Sequence, residues 1–315
     1  MATTTRNTAL SQSQQALMGK RVRLGTVGRW AVLLVLIFIT LFPLWWMIRT
    51  ALTYPDLVYK NTDSLLPVDA TTLNFRRVTG AIDEQELQAL IEQSPNISAG
   101  SLHFIRYLEN SLIVSGLVTL GQILFSSMAA YAFARMRFPF RDQIFFLYLT
   151  GLMVPGIILF IPNFVLMRQL HWIGTYQGMI APAFLMTPFA VFFMRQFFLG
   201  LNRDLEEAAK LDGASPFGVF WRVSLPLSQG PLLTLGILTF IASWNDYLWP
   251  LLVGRDEKVR VLTVALGIFR SQTPQGAPDW SGLMASTVVA VIPMMLLFIF
   301  LGRKVIDSIQ FSGFK

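Results

Sequence analysis

The sequence predicts an all-α integral membrane protein with six transmembrane helices. Of its 315 residues, 54% are hydrophobic and only 14% are charged, whereas charged residues make up roughly a quarter of an ordinary soluble domain. Six apolar runs are long enough to cross a hydrocarbon core of roughly 30 Å, which takes about 20 residues of helix. The runs are continuous rather than alternating, so they predict helices and not the strands of a barrel.

The six runs occupy 30–48, 111–133, 144–167, 176–194, 232–252 and 283–301. Only the fifth contains a charged residue, Asp246. Membrane helices tolerate proline where neighbouring groups satisfy the carbonyl that proline leaves free. The prolines inside the runs include Pro155, Pro162, Pro182, Pro188 and Pro293. We therefore expect kinked helices that can line a pathway.

Lysine and arginine in the connecting segments indicate the orientation. If the N-terminus is cytoplasmic, the inside segments carry 15 basic residues and the outside segments nine, and cytoplasmic loops are enriched in basic residues. The short turn with Arg135, Arg137 and Arg141 argues most strongly, because short loops follow this rule best. We expect both termini inside, in cytoplasmic tails at 1–29 and 302–315.

The other boundaries follow from the runs. A first transmembrane helix at 30–50 precedes an external loop at 51–110, and a core transmembrane domain spans 111–301. The acidic stretch 81–95 within the external loop has apolar residues spaced three and four apart, which predicts a short helix starting near Asp83. We expect a small external cap there. A docking surface for an extracytoplasmic partner is the alternative.

The loop at 200–228 predicts a helix–turn–helix at the cytoplasmic membrane surface. Asn202 or Asp204 can cap the first helix, whose acidic first turn suits the positive end of the helix dipole. Gly213 offers a stop in the left-handed conformation. Ser215-Pro216 then supplies an N-cap and a proline in the first position of a second helix.

The composition of this loop suits the docking of another protein. Ala208 and Ala209 keep one helix face flat, so that a partner can approach the backbone closely. Phe217, Phe220 and Trp221 provide apolar anchors. An ordinary amphipathic loop is the alternative.

The loop also carries a specific resemblance. Glu207-Ala208-Ala209, then Gly213 and Leu225-Pro226, resemble the EAA loop of binding-protein-dependent ABC importer permeases, with Val223 in place of the usual isoleucine. Further stretches resemble the carbohydrate-importer, MalG-like branch of that family. They are AYAFARMRFP at 130–139, WNDYLWPLL at 244–252 and the terminal SGFK at 312–315. The resemblance covers nearly everything from Asn110 to Lys315.

This resemblance implies the type I ABC importer permease fold, with a cytoplasmic EAA coupling helix, in a multi-pass protein of the bacterial inner membrane. The expected partners are a homologous second permease, two ATP-binding-cassette ATPase subunits, an external solute-binding protein and membrane lipid. The solute would be an oligosaccharide or a related polyol or glycoside, with glycerol phosphate as an alternative. The residues expected to couple to the ATPase are Asp204, Glu206, Glu207, Ala208, Ala209, Asp212, Gly213, Phe217, Leu225 and Pro226.

The sequence lacks the Gly-x-x-x-x-Gly-Lys-Ser/Thr loop that cradles a nucleotide. ATP and Mg would therefore be used by partner subunits, and we expect this chain to be a transporter subunit that binds no cofactor or metal, not an enzyme. The absence of cysteine excludes thiolate chemistry, and the scattered basic residues form no stripe for nucleic acid. A standalone secondary transporter or a membrane enzyme would need acidic or histidine clusters that these runs do not supply.

Polar residues inside spanning helices are often functional, which nominates Asn163, Asn245 and Asp246 for a substrate path. Trp244, Tyr247 and Trp249 could stack against a sugar. Two alternatives remain for the aromatic residues, namely packing and the aromatic belt that forms at membrane interfaces.

Overall fold

The computed structural model describes residues 12–60, 62–94, 97, 103–271 and 278–311, with the backbone alone at 12–26, 271 and 303–311. Over these residues the chain is helical and contains no β-strand, which confirms the all-α fold class. The terminal motif at 312–315 lies outside the described residues. The α-helices are α1 (Gln12–Leu52), α2 (Leu73–Thr79), α3 (Glu84–Gln93), α4 (Phe104–Arg135), α5 (Arg141–Leu149), α6 (Phe160–Gln169), α7 (Tyr176–Phe184), α8 (Pro188–Gly200), α9 (Arg203–Leu211), α10 (Pro216–Val219), α11 (Leu225–Leu227), α12 (Gln229–Trp244), α13 (Leu248–Val253), α14 (Leu262–Ser271) and α15 (Trp280–Phe311).

Three of the predicted spans are unbroken helices. The segments long and apolar enough to cross a membrane are Val27–Leu52 of α1, all of α4, and Trp280–Gly302 of α15. Pro43 and Pro293 lie inside α1 and α15 without ending them. The helix α1 begins at Gln12, so part of the predicted tail at 1–29 is helical.

The other spans are bent pairs of helices, and counting each pair as one span brings the total in the described chain to six. Arg141–Met153 and Gly156–Gln169 meet at 94°, where Pro155 stands between two short 3₁₀ segments. The pair α7 and α8 meets at 43°, and Pro216–Leu227 meets α12 at 79°. The kink expected at Pro155 is therefore a bend of nearly a right angle.

The run at 232–252 predicts one continuous helix, and this prediction is wrong. The helix α12 ends at Trp244, and the chain becomes helical again only at Leu248. The side-chain amide of Asn245 donates to the backbone oxygen of Ile241, one turn back, at 2.8 Å. Such local side-chain bonds compete with helix continuation.

The helix α4 lies at the centre and packs against α7, α8 and α12. Small residues on its buried face permit the close approach that packed membrane helices need. Gly121 is the clearest case, because a Cβ atom there would lie 2.2 Å from the backbone oxygen of Phe184. Near the other end of α4, the ring of Tyr131 packs edge-on against Phe198 and tilted against Phe220, with centroids 5.8 and 5.2 Å away.

The segment between α1 and α4 forms a cap held by buried polar groups. Arg77 of α2 forms an ion pair with Asp279, just before α15, and both side chains are buried. Asn74 donates to the backbone oxygens of Ala51 and Thr53 at 2.8 and 2.9 Å. The cap therefore joins the end of α1 to the start of α15.

Two further features complete the cap. Burial, and secondarily the nearby Asp279 carboxylate, raises the pKa of the Tyr59 phenol, which donates a hydrogen bond of 2.6 Å to the backbone oxygen of Pro278. The helix expected near Asp83 is confirmed as α3, which buries none of its residues. Its Glu86 forms an exposed ion pair with Arg76 at 2.8 Å.

The buried pair predicts a large stability effect. Asp279→Asn keeps a side-chain acceptor for the amide of Gly282 but leaves the Arg77 cation unpaired, which costs about 3–5 kcal/mol for a buried pair. We expect the free energy of unfolding to fall by that amount, measured by denaturant unfolding in detergent with circular dichroism. The exposed control Glu86→Gln should lower it by about 1 kcal/mol or less. Equal effects of the two variants would contradict the structure of the cap.

Candidate functional site

The loop between α8 and α12 forms the helix–turn that its local signals predict. The side chain of Asn202 accepts a hydrogen bond of 3.0 Å from the amide of Asp204, so Asn202 is the N-cap of α9. Gly213 has φ +85°, the left-handed conformation that ends the helix. The hydroxyl of Ser215 accepts from the amide of Gly218 at 3.1 Å and caps α10.

The second helix, which the sequence predicts from Pro216, contains a π-helical segment. The helix α10 makes one turn from Pro216, and the chain then forms a π-helical segment at Phe220–Ser224 before α11. Such π-helical turns occur frequently at functional sites. Two of the predicted apolar anchors differ in exposure, because Phe217 is 61% exposed whereas Phe220 is buried in the core. The prediction of Phe220 as a surface anchor is therefore wrong.

The residues of α9 and its flanks divide sharply between exposed and buried. Glu206 is the only residue of α9 that is buried, although the sequence placed it with the ATPase-facing residues. Ala209 and Leu225 are half-buried against the core. Leu211, which the sequence analysis passed over, is 89% exposed. The exposed members of the predicted set are Asp204, Glu207, Ala208, Asp212, Gly213, Phe217 and Pro226.

Glu206 is held by a basic residue of α4. The Nε atom of Arg135 lies 3.0 Å from Oε1 of Glu206. Ser224 of the π-helical segment donates to the same carboxylate oxygen at 3.2 Å. From the sequence, Arg135 was only an indicator of orientation, and its contact with Glu206 was not predicted because the two residues are far apart in the chain.

A cavity of about 500 Å³ lies between the transmembrane helices. It is mostly apolar, with a few polar groups that come from different helices, as small-molecule sites usually are. Its lining residues include an acidic side chain and no lysine or arginine. The polar residues in the lining are Gln122, Asn163, Thr187, Thr239, Ser243 and Asp246.

The structure brings three of the six predicted path residues to this cavity, namely Asn163, Asp246 and Trp249. Trp249 is largely buried, however, with its indole nitrogen donating to the backbone oxygen of Gly178 at 3.2 Å and its ring edge-on to Phe160. Protein therefore covers most of the surface of this side chain in this conformation, since Trp249 is only 9% exposed.

The other three lie outside the cavity lining. Trp244 is buried and stacks on Phe240 with centroids 5.6 Å apart. Asn245 bonds back to its own helix. Tyr247 lies against Gly267, where an added Cβ would come 2.8 Å from its ring.

The sequence analysis missed Gln122, although the same criterion that selected Asn163 applies to it. The Gln122 side chain donates to the backbone oxygen of Ala183 at 2.7 Å and accepts from the hydroxyl of Thr187 at 3.0 Å. Thr239 and Ser243 were missed because hydroxyls are common in membrane helices. Among the described residues, no three His, Cys, Asp or Glu side chains are grouped to hold a metal ion.

Bent spans around a mostly apolar cavity with a few polar groups, together with a capped helix presented by one loop, define the chain as a helical membrane transport subunit. The family model described as "Binding-protein-dependent transport system inner membrane component" matches residues 122–309. The chain belongs to this family, and it is a transmembrane permease subunit of an ABC importer, a transporter component rather than a catalyst.

Several curated relatives are similar over most of their length. The arabinooligosaccharides transport system permease protein AraQ of Halalkalibacterium halodurans is 39% identical over 206 residues, 65% of this chain and 72% of that protein. The trehalose/maltose transport system permease protein MalG of Thermococcus litoralis is 33% identical, covering 70% of this chain and 78% of the relative. The sn-glycerol-3-phosphate transport system permease protein UgpE of Agrobacterium fabrum is 31% identical, covering 85% and 89%.

The fold also matches solved structures. A chain of a bacterial ABC transporter involved in the import of the acidic polysaccharide alginate superposes with a TM-score of 0.71 at 21% identity, covering 94% of this chain and 98% of that chain. A chain of a bacterial alginate ABC transporter in complex with an alginate pentasaccharide-bound periplasmic protein gives a TM-score of 0.52 at 15% identity, covering 91% and 97%. At these identities the match confirms the ABC importer permease fold.

The exposure pattern of the loop predicts selective chemical labelling. The natural chain contains no cysteine, so single cysteines can be introduced without background. In the purified chain, Leu211→Cys should react rapidly with a hydrophilic maleimide, because Leu211 is almost fully exposed. Phe220→Cys should react only after denaturation, which gel-shift assays can follow. Equally fast labelling at both positions would contradict the described fold of the loop.

Proposed function

We propose that this chain forms part of the membrane path of a bacterial sugar importer, and that α9 is its coupling helix to an ATPase subunit. The observation that carries the proposal is the form of α9: a capped helix that presents Glu207 and Ala208 outward and buries only Glu206. Leu211 and Phe217 add exposed apolar side chains beside it. A protruding helix of this kind can fit a cleft on another protein, because clustered exposed apolar groups mark interaction sites.

The other components of the proposed machine follow from the same family. A homologous second permease would complete the path, and two ATPase subunits would bind and hydrolyse ATP with Mg, because this chain has no phosphate loop. An external solute-binding protein would deliver the solute, and one solved alginate transporter is in complex with an alginate pentasaccharide-bound periplasmic protein. The excess of basic residues in the proposed inside segments supports cytoplasmic termini in the bacterial inner membrane.

The chemistry of the cavity favours a neutral sugar over glycerol phosphate. Hydroxyl, amide and carboxylate groups in the lining can hydrogen-bond to sugar hydroxyls. The lining contains Asp246 and no basic residue, whereas phosphate recognition relies on arginine and lysine. The names of AraQ and MalG point to oligosaccharides and disaccharides, while that of UgpE points to glycerol phosphate.

The coupling loop is continuous with a helix of the cavity. The chain runs from α9 through α11 into α12, which contributes Leu238, Thr239 and Ser243 to the lining. A displacement of α9 on ATPase closure would therefore shift one wall of the cavity and alternate its access. ATP can drive this only because the ATPase binds the two conformations with different affinity.

Affinity purification of the tagged chain from its native membrane, followed by mass spectrometry, tests the assembly. We expect an ATPase and a second permease in comparable amounts. Gly213→Val should lose the ATPase and keep the second permease, because a β-branched side chain is strained at φ +85° and displaces α9.

Gly213→Asn is the matched control. Asparagine tolerates the left-handed conformation, and an added Cβ at this position meets no atom within 4 Å, so the ATPase should remain bound. Recovery of the wild-type chain alone under several mild detergents would overturn the proposal in favour of a standalone transporter.

A bulky side chain in the cavity should block the solute. Ser243→Phe should lower uptake of radiolabelled arabinooligosaccharides or maltose by roughly tenfold, equivalent to about 1.4 kcal/mol, without releasing the ATPase. Uptake of sn-glycerol-3-phosphate, measured in parallel, should be negligible in both proteins. Val35→Phe, on the exposed face of α1, is the control and should transport normally. Normal sugar uptake by Ser243→Phe would exclude this cavity from the path.

A further inference from the structure

One fully buried side chain, beside the half-buried Ala209, attaches α9 to the rest of the permease. Glu206 is the only buried residue of that helix, and its carboxylate lies 3.0 Å from the Nε atom of Arg135. Both side chains are about 5% exposed. Any displacement of α9 must therefore either break this ion pair or carry Arg135 with it.

Arg135 stands where four elements meet. It is the last residue of α4, and its Nη2 atom donates to the backbone oxygen of Leu201, just after α8, at 2.7 Å. Through Glu206 it is linked to α9, and Ser224 of the π-helical segment bonds the same carboxylate at 3.2 Å. The helix ends on both sides of the loop thus converge on one buried ion pair.

A contribution to stability does not by itself explain why the charges of Arg135 and Glu206 are buried. Burying two charges costs desolvation energy, and apolar residues of similar volume often replace a buried ion pair without loss of stability. Hydrogen bonds from Arg135 to the backbone oxygen of Leu201 and from Ser224 to Glu206 hold the two charged groups in place, however, and hydrogen bonds fix distance and angle in a way that apolar packing does not. Within the described residues, no other side chain of α9 forms a hydrogen bond or ion pair with the transmembrane helices, and Ala209 contributes apolar packing alone.

We propose that Arg135 and Glu206 are positioning residues that transmit the displacement of α9 to α4. The inference rests on the proposed function of α9 as the coupling helix. The helix α4 contributes Val114, Val118 and Gln122 to the cavity lining. The ion pair thus provides a second route to the cavity, beside the continuous chain through α12.

A reporter within the cavity can measure this transmission. Ser243→Cys introduces the only cysteine of this chain, and its reactivity toward a membrane-impermeant maleimide can be read after gel separation from the other subunits. The importer, purified through its tag and placed in lipid vesicles, is compared without nucleotide and with ATP and vanadate. In the otherwise unmodified chain we expect reactivity to change between the two conditions.

Two variants separate positioning from folding. Glu206→Gln retains the shape and removes the charge. The double variant Arg135→Leu with Glu206→Leu restores apolar packing without a directional bond. We expect both to keep the ATPase bound and hydrolysing ATP, while the nucleotide-dependent change in reactivity shrinks about five- to tenfold, the lower end of the range for typical coupling energies. Asp142→Asn, which breaks an exposed ion pair with Arg141, is the matched control and should respond normally.

Each contrary result is decisive. A normal nucleotide response in the double variant would show that apolar packing suffices and would overturn the positioning role. Failure of both variants to assemble would assign the pair to folding alone and overturn the role as well. If no ATPase accompanies the unmodified chain, the proposed function itself fails, and that outcome is visible before any variant is compared.

Discussion

The hydrocarbon interior of a membrane contains no water to bond a free backbone amide or carbonyl, and the architecture of this chain depends on that constraint. Unbroken helices such as α4 satisfy it locally, whereas each break in a span must find partners elsewhere. At the break after α7, the side chain of Gln122 bonds the carbonyl of Ala183. At the break after α12, Thr263 donates to the backbone oxygen of Asp246 at 2.7 Å. Polar side chains therefore bond the backbone where the spans bend, and one of them, Gln122, also lines the cavity.

The same constraint explains which features the sequence could predict. The spans α1, α4 and α15 were found because continuous apolar length is itself the signal, and the caps at Asn202 and Ser215 were found because each bonds within its own turn. The break between α12 and α13 was missed because its local bond at Asn245 is a weak signal by itself and its other partner, Thr263, lies farther along the chain. Burial of Phe220 and of Glu206 was missed for the same reason: α9 and the π-helical segment pack against α4 and α8, which lie elsewhere in the sequence.

The cavity residues show how polarity alone misleads. Asn245 and Asp246 are adjacent polar residues, yet Asn245 caps its own helix while Asp246 lines the cavity. The aromatic residues beside them divide likewise, because Trp244 packs in the core and Tyr247 lies over Gly267. In a helix interruption, successive side chains leave in unrelated directions, so no helical period predicts which of them will face the cavity. The three-dimensional course of 244–249 had to be known first.

Two buried ion pairs perform a similar task in different parts of the chain. Arg77–Asp279 holds the short helix α2 to the start of α15, and Arg135–Glu206 holds α9 to the end of α4. Helices of seven and nine residues bury too little apolar surface to be held firmly by packing alone, because the hydrophobic effect scales with the area buried. In α9 the ion pair holds the helix at Glu206 and leaves Glu207 and Ala208 exposed, whereas α2 is held at Asn74 as well. A helix held in the manner of α9 can carry a displacement into the transmembrane helices without unfolding.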